Sequence, residues 1–206
     1  MAESLDYFLT LHSPWSYLGH QAFLDMAARH GAHVRVRPIR VFDLFAEVGA
    51  LPLARRPPAR QAYRLIDLQR VREQRGLPLN LKPKFFPCDI ELADRVAIAL
   101  IEHGHAPDPY LSAAYAALWV DEADLADPGT LAALLQGQGL DASAILAAAA
   151  EPAIEAIYRD NTRAAIDAGL PGVPGYVRAG EPFWGQDRID LLDAALTSGR
   201  AAYRAG

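Results

Sequence analysis

Strand-forming sequence in this chain is confined to its two ends, and a long stretch of helical pattern separates them. Near the start, "LDYFLTL" (residues 5–11) is a short apolar run rich in strand formers and predicts a buried strand. From Pro14 to about Arg29, Trp15, Leu18, Ala22, Phe23 and Met26 recur at helical spacing, and Gly31 closes that helix. "HVRVRP" (33–38) alternates and predicts a second strand, so the chain opens as β-α-β, with a right-handed crossover if the strands are parallel. The strand signal returns only after Gly172. There "GVPGYVRAGEPFWG" predicts a hairpin turning at Ala179–Gly180, with strands at 173–178 and 181–184. "QDRIDLLDAAL" (186–196) then predicts a last helix with Ile189, Leu192, Ala195 and Leu196 on one face. Between the ends lie a turn-rich connection, "LPLARRPPAR" (51–60), and a helix from about Ala59 to Arg75 stopped by Gly76 and Pro78. Further helices are expected at 89–103, 109–121, 128–138, 141–150 and 152–168. Strands so far apart in sequence must meet to form a sheet. The economical fold is therefore an α/β domain built from residues 1–45 and 169–206, interrupted by an inserted all-helical domain at 46–168.

Bulk composition removes several classes of function. Of the 206 residues 51% are hydrophobic and 22% charged, which suits a packed core. The net charge of −5 argues against general affinity for nucleic acid. No apolar run approaches the roughly 20 residues of a membrane span, and "MAESLDYFLTLHS" lacks the pattern of a secretory leader, so a cytoplasmic location is expected. Cys88 is the only cysteine, which excludes an internal disulfide and an intramolecular dithiol mechanism; it reads as structural. No histidine pair has metal-motif spacing, and "HGH" (103–105) reads as a helix end with a glycine cap, so no metal is expected. There is no G-x-S-x-G elbow and no glycine-rich phosphate loop.

The informative segment is "HSPWSYLG" (12–19). Serine is a favoured helix N-cap and proline is favoured at the first helical position, so Ser13 and Pro14 suit a helix start on structural grounds alone. The same place, straight after a strand, is where thioredoxin-like proteins carry Cys-x-x-Cys, and here Ser13 and Ser16 stand in that spacing. The two roles are compatible. The first turn of a helix presents unpaired N–H groups and the positive end of the dipole, which favour a thiolate brought there. A serine hydroxyl can hydrogen-bond such a sulfur without being oxidised by it.

"DYFLTLHSPWSYLG", then "GVPGYV" and "FWGQDRIDLL" towards the other end, with "AYRLIDLQR" (62–70) between them, resemble the 2-hydroxychromene-2-carboxylate isomerases and the related kappa-class glutathione transferases. The resemblance covers essentially the whole chain. It implies a thioredoxin-like domain with a large helical insertion, glutathione as cofactor, an aromatic carboxylate as second substrate and a homodimer. By that resemblance Ser13 faces the sulfur of glutathione and is the catalytic residue, while Ser16 supports at most. Val173 and Pro174 match the family's cis-proline loop, where the backbone of Val173 would pair with that of the tripeptide. Gln186 and Asp187 would hold the γ-glutamyl carboxylate and ammonium; an aspartate in a first helical turn is also ordinary capping.

For the second substrate the candidates are Arg60, Trp15 and Asp89. Arg60 stands where the family commonly has lysine, and most other arginines of residues 55–75 read as a solvated helix face. Tyr17 and Phe42 join Trp15 as candidate pocket aromatics, and Trp184 reads as core beside the site. Several positions depart from the family pattern. Ala50 or Leu51 replaces one asparagine, Asp89 another, Gly175 follows the loop proline, and His12 and Thr10 are atypical in the first strand. The expected activity is a glutathione-dependent isomerisation. A kappa-like transferase or peroxidase and a non-catalytic thioredoxin-like binding protein are the alternatives.

Overall fold

The computed structural model describes residues 3–204; residues 1–2 and 205–206 of the expected terminal domain lie outside that range. A four-stranded sheet has the order β2-β1-β3-β4. β1 (Ser4–Leu9) and β2 (His33–Pro38) are parallel and joined through α1 (Pro14–Arg29). β3 (Gly175–Arg178) returns from the far end of the chain to run antiparallel beside β1, from Leu5 opposite Arg178 to Phe8 opposite Gly175. A hairpin then adds β4 (Glu181–Trp184) at the edge. Its two turn residues, Ala179 and Gly180, both take positive φ, 47° and 80°, as a tight turn matched to strand twist requires.

The alternation of β1 decides the layers. Leu5, Tyr7 and Leu9 point to one face and join Leu18, Phe23 and Met26 of α1, and Ile189, Leu192 and Ala195 of α9 (Ile189–Ser198). This core runs on without a break into α4 (Glu91–Glu102) and α5 (Asp108–Trp119), through Val96, Leu100, Leu111 and Trp119. Phe8 points the other way and packs with Ile39, Val41, Leu44, Ala165, Leu170 and Val177 under α2 (Val41–Val48) and α8 (Pro152–Asp167). α3 (Pro58–Arg75), α6 (Pro128–Gln136) and α7 (Ala142–Ala149) complete the helical middle of the chain.

Three local outcomes differ from the expectations. β1 stops at Leu9, not at residue 11: the ladder closes with Ile39 N–H donating to the Leu9 carbonyl at 2.9 Å, and Leu11 N–H turns away to donate to Asp94 at 2.9 Å. α2 occupies a segment for which no element was expected; Val41, Leu44, Phe45 and Val48 form its apolar stripe, and Gly49 ends it at φ 71°. The last helix begins at Ile189 and not at residue 186, because Gln186–Arg188 form a separate 3₁₀ turn. The N–H donors expected of a helix start at Gln186 and Asp187 therefore belong to that turn.

Candidate active site

Ser13 is the N-cap of α1. Its backbone is extended, at φ −102° and ψ 114°, and its Oγ accepts the N–H of Ser16 at 3.2 Å. That bond uses a lone pair and leaves the hydroxyl hydrogen free to donate elsewhere. Ser13 lines a cleft of about 1220 Å³, together with Trp15, Arg60, Val173, Gln186 and Asp187. Residues expected from both ends and from the helical middle of the chain thus border one cleft.

The Val173–Pro174 peptide is cis. Val173 lies beyond the last ladder pair, Phe8–Gly175, so its backbone is not committed to the sheet. Pro174 is buried behind the cleft, and its C=O accepts the N–H of Gly185 at 2.8 Å, which draws the 185–187 turn alongside the loop. Gly185 has φ 104°, a conformation open to glycine. Arg75 fixes Gln186 by donating both to its side-chain oxygen at 3.0 Å and to its backbone oxygen at 3.3 Å. Gly19 of α1 lets that turn come close: a Cβ there would lie 2.7 Å from Cβ of Gln186. Asp187 is exposed, and its carboxylate pairs with Arg188 at 2.6 Å.

The second-substrate candidates divide. Trp15 and Phe42 are in the cleft lining. Tyr17 is not; its hydroxyl donates to the backbone oxygen of Pro78 at 2.8 Å and its ring packs near Tyr115. Asp89 is outside the lining as well. It is exposed, and its Oδ1 accepts the N–H of Glu91, the first residue of α4, at 3.0 Å, so it serves the helix start and not the cleft. Trp184, read as core, is half exposed and lines the cleft, with its indole against Gly172. Cys88 is half-buried outside the lining, and burial with nearby Asp124 pushes its thiol up to about 11.

Phe86 and Asp94 carry no sequence motif. Phe86 faces the cleft and stacks near His12, with ring centroids 4.7 Å apart. Burial, and then the charge of Arg64, push His12 down to about 4, so its imidazole is neutral at physiological pH and too weak a base to take a proton from a thiol there. Asp94 lies beneath the site with no exposed surface. Its carboxylate accepts from Thr10 Oγ1 at 2.6 Å, Leu11 N–H at 2.9 Å and the Tyr158 hydroxyl at 2.9 Å. The Tyr115 hydroxyl and Trp119 indole donate to the carbonyls of Thr10 and Leu11, at 3.4 and 3.1 Å. α4, α5 and α8 thus hold the segment that delivers Ser13 to its helix.

A β-α-β start, an antiparallel return hairpin, a cis-proline loop and a helix-start site define a thioredoxin-like protein in which hydroxyls stand where thiols would. The chain belongs to the DSBA-like thioredoxin domain family, whose model matches residues 4–197. It is similar to the 2-hydroxychromene-2-carboxylate isomerase of Sphingobium xenophagum, at 28% identity over 198 residues, 95% of this chain and 99% of that relative. A solved 2-hydroxychromene-2-carboxylate isomerase structure superposes with a TM-score of 0.75 at 24% identity, covering 95% of each chain. The cytosolic disulfide reductase DsbM from Pseudomonas aeruginosa, solved with GSH, superposes with a TM-score of 0.69 at 20% identity, covering 95% of this chain and 98% of that one. Among the described residues no helix is long and apolar enough to cross a membrane.

Proposed function

We propose that this chain is a glutathione-dependent isomerase of 2-hydroxychromene-2-carboxylate or a related aromatic carboxylate, which it converts to the trans-o-hydroxybenzylidenepyruvate type of product. The observation that carries the reading is the meeting of the Ser13 cap, the Val173 backbone and the 185–187 turn in one cleft, in a chain similar to a named isomerase along almost its whole length. The donor set suits a tripeptide thiol: a helix start for sulfur, unladdered backbone for the peptide, and separate groups for carboxylates and an ammonium. Asp187 would exchange Arg188 for that ammonium. When bound, glutathione supplies a thiolate that adds reversibly to a conjugated carbon, so the former double bond turns as a single bond.

The chain's own residues do the rest. Ser13 donates its free hydroxyl hydrogen to the sulfur, and the first turn of α1 favours the negative charge there. Val173 aligns the peptide as a short added strand. Trp15, Phe42 and Phe86 hold a planar substrate and displace water. On the same reading, residues 46–168 are an insertion into the thioredoxin-like unit, and the enzyme works as a homodimer in the cytoplasm.

The test is Ser13→Ala, assayed for turnover and for glutathione affinity. Turnover should fall far more than affinity; equal turnover in mutant and parent refutes the role. A product balance separates the chemistries, since an isomerase returns glutathione unchanged and a kappa-like transferase consumes it. Absence of glutathione binding at millimolar concentration would leave a binding protein.

A further inference from the structure

One face of α3 borders the cleft; of its three lining arginines, Arg60, Arg64 and Arg70, the first two lie one turn apart. Four residues of helix separate them by about 6 Å along the axis. Their settings differ. Arg60 is exposed, whereas Arg64 is half-buried, with its guanidinium 5.8 Å from the centre of the Phe86 ring. Phe86 in turn packs on His12, the residue before Ser13. Among the described residues Arg64 has no carboxylate within ion-pair reach and no hydrogen-bond partner; the nearby Asp67 is paired with Arg70. Burial, and then repulsion from Arg56, push Arg64 down to about 10, the mark of a cation brought out of water without a counter-charge. His12, kept neutral by burial, brings no negative charge to Arg64, and its Nε2 is buried without a hydrogen-bond partner.

We propose that Arg64, not Arg60, is the anchor for the carboxylate of the aromatic second substrate, with Phe86, His12 and Phe42 against its ring. The assignment rests on the isomerase reading and deepens it by naming the specificity-determining residue. A guanidinium fork meets a carboxylate with two parallel hydrogen bonds, and desolvation strengthens them. An aromatic cradle beside the fork selects planar conjugated acids over aliphatic ones. The glycyl end of glutathione is also a carboxylate, but Arg64 lies against the aromatic wall, whereas Arg60, like Arg70 and Arg188, is open to solvent.

Titration calorimetry on the full chain tests this with trans-cinnamate and its neutral isostere trans-cinnamamide, first without glutathione. Wild type should bind cinnamate about 10-fold more tightly than cinnamamide, the scale of one charge-assisted pair. Arg64→Gln should erase that preference and leave cinnamamide binding unchanged; Arg60→Gln should retain it. A preference that survives in Arg64→Gln, or vanishes in Arg60→Gln instead, overturns the assignment. Where melting shows Arg64→Gln to be unfolded, Arg64→Lys, which keeps charge but loses the fork, should lose part of the preference. Glutathione titration forms the second arm. Arg64→Gln should match wild type, and a 10-fold loss would give Arg64 to the tripeptide and overturn the proposal. No glutathione binding in wild type would defeat the isomerase reading while the cinnamate arm still decides on Arg64.

Discussion

Asp94 gives the sharpest quantitative test of how the helical layers support the site. Burial is the largest influence on its carboxyl and outweighs the three donors around it, lifting it from the ordinary 3.8 to about 7. Between those values the folded protein holds a proton that the unfolded chain has released. Stability from this group is therefore fully present below about pH 4 and is lost as pH rises through about 7. The gap between 3.8 and about 7, at 1.36 kcal/mol per pH unit, amounts to about 4 kcal/mol. Asp94→Asn removes the titration but not the shape. Leu11 N–H keeps its oxygen acceptor, Thr10 can turn to accept from the amide, and the Tyr158 hydroxyl retains the Ile39 carbonyl at 3.2 Å. His12 and His20, both pushed down to about 4 by burial, act in the opposite direction, since their protonation favours the unfolded chain as pH falls below 6.5. They are present in both proteins and cancel in the difference. Urea unfolding of the two proteins, followed by circular dichroism at matched ionic strength from pH 4 to pH 8, measures that difference. Relative to wild type, the mutant should gain about 4 kcal/mol across the range. A difference that stays flat with pH would show that Asp94 is not a neutral buried acid near pH 5, and the reasoning fails.

Further outcomes follow from the same contacts. Ser13→Ala should cost about 1 kcal/mol of thermal stability through the lost cap, beyond its effect on turnover, and differential scanning calorimetry reads this directly. Gly19→Ala places a methyl 2.7 Å from Cβ of Gln186, so it should destabilise by about 1–3 kcal/mol in urea unfolding and weaken glutathione binding by displacing the 185–187 turn. Arg75→Ala releases Gln186 without touching the cleft's thiol end. Its glutathione Kd should rise several-fold while Ser13-dependent turnover at saturating glutathione changes little.

Much of the fold could be read from residue pattern, because alternation and helical spacing report which side of an element is wet. The hairpin at Ala179–Gly180, the α1 start at Ser13–Pro14 and most helices lie within a few residues of their expected places. Pattern says less about what an inward residue meets. Asp89 and Asp94 flank the start of one helix; the first merely accepts an N–H there, while the second enters a three-donor site that exists only because α4 and α8 close over the β1–α1 turn. Arg60 and Arg64 lie on one helical stripe, and only packing beside Phe86 and His12 makes the second the desolvated one. α2 had a usable apolar stripe but no side-chain cap at Arg40, so its start carried no signal.

By itself the sequence determined that strands from opposite ends must meet, that Ser13 caps a helix after the first of them, and that no cysteine pair can do redox chemistry there. These follow from local spacing and residue chemistry. Tertiary structure alone decided which charged residues face the cleft, that Phe86 and Trp184 line it, and that the last turn at Gln186 abuts Gly19. Burial and proximity between residues far apart in the chain set those outcomes, and no periodicity along one element encodes them.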